Sequence, residues 1–232
     1  MRLFCPSYQI PGSWAENALF IASEPRLAGI VGIELLLFRY NREDRELFRS
    51  DLPRLKELTR RFAYSLHLPV VVGDSGESDV SQRRLLQDAG ELAEGAVMHF
   101  PPLSAGEDRV RALSRREELS REFGIEIALE NSLETPCRDL PEELPLCLDT
   151  GHALLGEEAP GALLKRYGRR ISALHLHGTA EGRDHAPLTP DAAWFPPVGE
   201  FLRSFSGRVV LELFDLQKLL ISLKTVESEV SR

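Results

Sequence analysis

The chain has 232 residues, 43% of them hydrophobic and 28% charged, with a formal net charge of −8. That is the composition of an ordinary soluble globular domain, large enough to build a core without disulfides. The acidic balance argues against a duplex-binding protein, which gathers Lys and Arg against phosphate, and no run approaches the ~20 apolar residues that span a bilayer.

Apolar, β-rich runs alternate with longer charged stretches of helical period. Residues 2–8 (RLFCPSY) read as a first strand, 11–23 (PGSWAENALFIAS) as a helix and 29–38 (GIVGIELLLF) as a second strand. Residues 42–63 space Leu47, Leu52, Leu55 and Leu58 among charges, an amphipathic helix in which Pro53 suits the first turn of a second half. Strand three is expected at 63–70 (AYSLHLPV), followed by a helix over 78–94 that Ser78, Asp79 or Ser81 would cap. Strand four falls at 96–100 (AVMHF), a helix over 107–124 closes at Gly124, and strand five is 125–131 (IEIALEN). The Pro-rich link 132–144 has room only for a turn or a helical stub. Strand six (145–150, PLCLDT), a short helix (159–170) and strand seven (171–178, ISALHLHG) come next. A polar loop (179–191), a helix near 193–205, strand eight (208–214, RVVLELF) and a closing helix (215–230) complete the chain. Eight β/α units predict one closed (β/α)8 barrel over residues 1–232 rather than an open doubly wound sheet.

Cys5, Cys137 and Cys147 form no CxxC pattern and read as thiols in a reducing compartment. The N-terminal MRLFCPSYQIPG has no long apolar run, so no signal peptide is expected and the cytoplasm is the default location.

Parallel barrels carry their chemistry at the C-terminal ends of the strands and in the loops beyond. His67, His99, Glu130, Asp149, His175 and Glu212 all fall there, joined by His152 in the turn after strand six and by Asp184 and His185 in the loop after strand seven. Glu130 and Glu212 sit in apolar strands, where a carboxylate is costly unless paired or metal-bound. Mixed imidazole and carboxylate ligands suit zinc, manganese or iron better than calcium. Nine candidates exceed the four ligands of one tetrahedral ion, so two or three divalent ions, zinc or manganese, are expected. Clustered divalent ions activate a water and neutralise charge on a phosphoryl group, and Glu130, Asp149 or Glu212 could serve as general base. Strand alternation puts His177 on the face of His175, and His177 is expected to lie behind the ligands or face substrate. Gly151 is expected to permit a sharp turn at the strand-six exit.

The motifs LEN, LDTGH, HLHG with a later DH, and LEL occur in that order. They resemble the xylose isomerase-like TIM barrels, a superfamily that includes the endonuclease IV type of apurinic endonuclease (AP endonuclease family 2). The isomerase branch implies a core of Glu130, Asp149, His175 and Glu212. The endonuclease branch implies three metals: one held by His67, His99 and Glu130, one by that core of four, and one by His152, Asp184 and His185. One departure is that the endonuclease spaces its loop ligands as Asp-x-His, whereas Asp184 and His185 are contiguous. The segments PSYQIPGSWAENALFIA, VGIELLLF and HLHGTAEGRDHAPL are most similar to the cobamide-remodelling phosphodiesterases of this superfamily. That resemblance implies hydrolysis of a phosphoester in the nucleotide loop of a cobalamin-type corrinoid, a small-molecule substrate, with Tyr8 and Gln9 at the mouth. Arg183, beside the ligand pair, could meet phosphate. The alternatives are a sugar isomerase or epimerase, an abasic-site DNA endonuclease, and a non-enzymatic barrel that binds metal or ligand without turnover.

Overall fold

The computed structural model describes residues 1–69 and 75–231 (for 75–79, the backbone). Eight parallel strands close into a barrel: β1 (Arg2–Pro6), β2 (Gly32–Leu36), β3 (Ala63–His67), β4 (Ala93–His99), β5 (Glu126–Glu130), β6 (Leu146–Asp149), β7 (Ile171–His175) and β10 (Arg208–Val210). Each pairs with its sequence neighbour in the barrel, and β10 closes the ring on β1. Helices α1 (Trp14–Ser23), α2 (Arg42–Glu57), α3 (Ser75–Ala89), α4 (Glu107–Phe123), α5 (Thr150–Leu155), α6 (Pro160–Tyr167), α7 (Phe195–Ser204) and α8 (Leu216–Val230) connect the strands. No helix among the described residues is long and apolar enough to cross a membrane.

Local chemistry explains most boundaries. Ser13 and Glu16 form a capping box on α1, and Asn41 and Asp44 form one on α2. Gly124 ends α4 in the left-handed conformation, at φ 62°. Four expectations change. Pro53 opens no second half, because α2 runs unbroken through it and gives up only the one hydrogen bond a proline cannot donate. Helix α3 begins at Ser75, so Ser81 is interior and the residues that precede the helix, like the side chains of Ser78 and Asp79, lie outside what is described; so does Val70, expected in strand three. The polar loop after β7 is a hairpin, β8 (Gly178–Ala180) with β9 (Arg183–Ala186), turning at Glu181 and Gly182 with φ of 53° and 72°. Two successive positive φ values match the twist of a tight hairpin. Strand eight is only three residues long, so Glu212 stands beyond the strand.

Strand alternation stacks the lumen in layers. Val97, Ala128, Cys147 and Ala173 form a small buried cluster of their own. Two residues further along the same strands come His99, Glu130, Asp149 and His175. A dry apolar layer thus underlies a polar one. At the opposite end the buried Arg208 side chain approaches Glu126 at 3.4 Å and occupies the space a Cβ on Gly95 would need. Between these, the fully buried Phe4 lies on Gly32, where an added Cβ would stand 2.3 Å from the ring. Overpacking at such a contact costs about 1–3 kcal/mol. Gly32→Ala should therefore lower unfolding stability by that amount in urea titration, and an unchanged midpoint would show that Phe4 is free to move.

Candidate metal centre

The centre is built on Glu130, the last residue of β5. Its Oε1 lies 2.8 Å from His175 Nδ1, and its Oε2 lies 3.2 Å from His67 Nε2 and 3.0 Å from His99 Nε2. One carboxylate thus joins the ends of β3, β4 and β7. Burial opposes its ionisation, but the charges of His175 and His99 outweigh that and hold its pKa well below the ordinary carboxylate value. His67 moves the other way. Burial disfavours its imidazolium, yet the hydrogen bond and charge of Glu130 lift its pKa to about 9.

Glu130, Asp149, His175 and Glu212 each offer one ligand atom within 4.8 Å of the others. Glu212 Oε2 is buried, accepts no hydrogen bond and stands 3.2 Å from His175 Nδ1. An unsatisfied buried carboxylate oxygen aimed at other donors is what a cation site presents before its ion is added. His67, Glu130 and His175 form a second such group, and His177, His185 and Glu212 a third.

The second nitrogen of each ring decides whether the first can ligate. His67 Nδ1 faces the Leu68 carbonyl (3.3 Å), His152 Nδ1 that of Asn131 (3.0 Å), and His185 Nδ1 that of Glu212 (3.1 Å). A carbonyl accepts only, so each Nδ1 carries a proton and Nε2 is the nitrogen left to ligate. This is the outer-shell pattern of metal-binding histidines. In His67 that Nε2 faces Glu130 Oε2 at 3.2 Å and would exchange the proton shared there for a metal. His152 Nε2 and His185 Nε2 then both approach Asp184 Oδ2, at 3.8 and 3.6 Å.

Contiguity of Asp184 and His185 would send their side chains to opposite faces of a regular strand. His185 escapes this by adopting φ 51°, a left-handed backbone that costs about 1–2 kcal/mol. The departure from Asp-x-His spacing is thereby compensated by backbone conformation.

His177 is fully buried, so it does not face substrate. Its Nε2 lies 3.1 Å from Asp149 Oδ2, and the backbone N–H of His185 donates to its Nδ1 at 2.9 Å. Burial disfavours its imidazolium, while Asp149 pulls its pKa up to about 9. The His185 amide works against that charge, because a protonated Nδ1 would leave two buried donors face to face. The Gly178 carbonyl, 3.3 Å from the same Nδ1, is the longer contact; with Nδ1 accepting from the amide at 2.9 Å, Nε2–H donates to Asp149. Gly151 makes room for this ring and makes no sharp turn. It lies in the first turn of α5, and a Cβ there would stand 2.0 Å from the His177 ring.

Asp149 also caps α5, its Oδ1 accepting from His152 N at 2.6 Å. Asn131 ties β5 to β6 in both directions, donating to Asp149 O (3.0 Å) and accepting from Asp149 N (2.8 Å). Thr150 Oγ1 donates to His177 O (2.7 Å) and accepts from His177 N (3.1 Å).

Sequence reasoning missed Glu34. It is fully buried in β2, its Oε1 lies 3.0 Å from His175 Nε2 (an ion-pair contact without hydrogen-bond alignment), and its other oxygen accepts from Ser65 Oγ at 3.0 Å. Glu34 therefore grips the far side of His175 and turns Nδ1 toward Glu130 and Glu212. The signal was present, a carboxylate between Ile33 and Leu35 in an apolar strand. Of the expected substrate contacts, Tyr8 is 55% exposed at the mouth and Arg183 is exposed on the hairpin. Gln9 is buried, its Nε2 donating to Leu213 O at 2.7 Å, so it fastens the β1 exit to the segment after β10 rather than opening to the mouth. A cavity of about 370 Å³ opens beside His99.

Metal analysis after dialysis should find fewer divalent ions in Asp149→Asn and Glu212→Gln than in the unaltered protein; equal content would remove these residues from the ligand set. Glu34→Gln should keep the ions but weaken their affinity about 10–100-fold. His175→Ala should lose more metal than His177→Ala, and the reverse order would make His177 Nε2 a ligand.

No family model and no curated protein matches the chain. Solved structures do. An L-ribulose 3-epimerase is similar with a TM-score of 0.70 at 14% identity, over 99% of this chain and 94% of that one. The apo form of 3-keto-D-glucoside 4-epimerase from E. coli gives 0.67 at 16% identity, over 98% and 99%. An AP endonuclease of family 2 from Brucella melitensis gives 0.64 at 15% identity, over 96% and 97%. At such identities the likeness speaks to the fold alone, and the fold is a (β/α)8 barrel.

Proposed function

We propose that the chain is a metal-dependent phosphodiesterase, with the nucleotide loop of a cobalamin-type corrinoid as its substrate. The observation that carries this reading is a flanked centre. Glu130, Asp149, His175 and Glu212 suffice for one ion. His67 and His99 add two imidazoles on Glu130 Oε2, and His152 and His185 add two more around Asp184. That surplus supports two or three ions rather than one, and several divalent ions would suit the spread charge of a phosphoryl group.

Divalent ions bound there would supply an acidified water and positive charge opposite the phosphoryl oxygens. Glu130, Asp149 and Glu212 hold the negative charge that balances them, and one of these carboxylates takes the proton of the attacking water. The Nδ1 carbonyl contacts of His67, His152 and His185 keep the rings from rotating as charge builds on the phosphoester. The leaving alkoxide takes its proton from solvent at the open mouth.

Two features of the rim support a bulky amphipathic substrate. Tyr8, Phe38, Leu103 and Leu133, in the segments after β1, β2, β4 and β5, are 55–63% exposed. The formal net charge of −8 supplies no general attraction for a nucleic-acid backbone. A second reading, a sugar epimerase, is favoured by one observation: the central four residues by themselves make a complete single-ion site. In that case Glu130 or Glu212 shuttles a proton beside a carbon centre.

Incubation of metal-replete protein with adenosylcobalamin, with products identified by mass spectrometry, should yield a corrinoid cut at a phosphoester of its nucleotide loop. Intact corrinoid together with turnover of a keto-sugar would replace this reading with the epimerase. Cleavage of abasic DNA would replace it with the endonuclease.

A further inference from the structure

Between the exits of β1 and β2 lies an apolar slot of about 210 Å³, lined by Tyr8, Trp14, Leu36, Leu37, Phe38 and Leu47. Leu36 and Leu37 are buried, while Tyr8 and Phe38 are 55% and 63% exposed. Trp14 spends its one donor on the Leu36 carbonyl at 2.9 Å, so what it offers the slot is carbon. Arg39 and Asp44, at the slot's border, pair with each other at 3.2 Å. The slot therefore presents aromatic and aliphatic surface with its nearby charges already matched.

A run of rings links it to the metal centre. The His185 ring packs on Phe214 at 4.7 Å, and Phe214 packs on Tyr8 at 6.4 Å. Single exposed apolar residues are normal, but two aromatics beside one concavity, joined by rings to a reactive cluster, mark a place where a ligand is gripped. The volume argues for a small occupant. Apolar cavities of about 150 Å³ hold a benzene ring, whereas a stable protein partner covers roughly 800 Å² on each side.

We propose that this slot is the subsite for a planar, uncharged heteroaromatic ring of the substrate, stacked by Tyr8 and Phe38 while the phosphoester lies on the carboxylate cluster. The assignment rests on the phosphodiesterase reading, and what it adds is the place where the base of that phosphoester would sit.

Equilibrium dialysis of a benzimidazole ribonucleoside, which has no phosphate, against the metal-replete full chain tests it. Saturable binding is expected, weakened about tenfold in Phe38→Ala and in Tyr8→Ala, a loss typical of one stacking partner. Phe38→Trp should retain binding, and so should Ile221→Ala, which removes an exposed apolar residue on α8. Both stacking residues are mostly exposed, so the variants should fold, which circular dichroism checks. No saturable binding, or binding indifferent to Phe38→Ala, overturns the slot. The two readings fail separately. Phe38-dependent nucleoside binding without any phosphodiester cleavage leaves the slot standing and ends the phosphodiesterase. Cleavage of adenosylcobalamin with an unchanged KM in Phe38→Ala does the opposite.

Discussion

Four carboxylates are concentrated inside an apolar cylinder, and the rest of the centre follows from that. Glu34, Glu130, Asp149 and Glu212 are each no more than 6% exposed. An ionised carboxylate at such depth persists only against positive charge and hydrogen bonds. His175, at the middle of the four, meets part of the demand. Burial opposes its protonation, but Cys147, Glu130, Glu212 and Glu34 around it push its pKa well above the ordinary imidazole value. The buried, unbonded Glu212 Oε2 shows that imidazoles alone do not satisfy the cluster. Divalent ions of the kind that mixed nitrogen and oxygen ligands prefer would complete it.

Backbone groups set the direction of four of the six imidazole rings. Carbonyls at Leu68, Asn131 and Glu212 hold Nδ1 of His67, His152 and His185, leaving Nε2 to face the carboxylates. His175 is reversed, with Nδ1 inward and Nε2 toward Glu34. His177 is turned by the amide of His185, a residue whose own backbone is left-handed. One strained residue in the β8–β9 hairpin thus serves two purposes. It brings His185 alongside Asp184, and it fixes which nitrogen of His177 carries the proton. Strain of this sort persists where the surrounding structure overdetermines it.

The mouth differs in character from the floor. Below, Val97, Ala128, Cys147 and Ala173 keep water away from the cluster. Above, exposed aromatic and aliphatic side chains ring a carboxylate centre that divalent ions would turn cationic, and in the phosphodiesterase we propose that pairing would take a ligand with a large uncharged body and a small anionic arm.

Much of this was legible in the chain. Alternation of apolar runs with amphipathic stretches fixed the eight β/α units, because a parallel strand can return to its sheet only through a crossover. Glu130 and Glu212 stood out as charges in apolar runs, and the same reasoning applied to Glu34 would have found it; attention to strand ends passed over a residue in mid-strand. The resemblance placed Gln9 at the mouth together with Tyr8, and adjacent loop positions need not share a burial state. The hairpin was legible only as polar residues, since its turn depends on Glu181 adopting a positive φ that Gly182 alone suggests. The sequence by itself determined the barrel and the inventory of acids and imidazoles that gather at its mouth. The tertiary structure alone decided which nitrogen of each ring looks inward and which groups share a cation. Those choices depend on atoms such as His67 Nε2 and Glu130 Oε2, 63 positions apart in the chain and 3.2 Å apart in space, and on backbone carbonyls whose direction no side-chain pattern encodes.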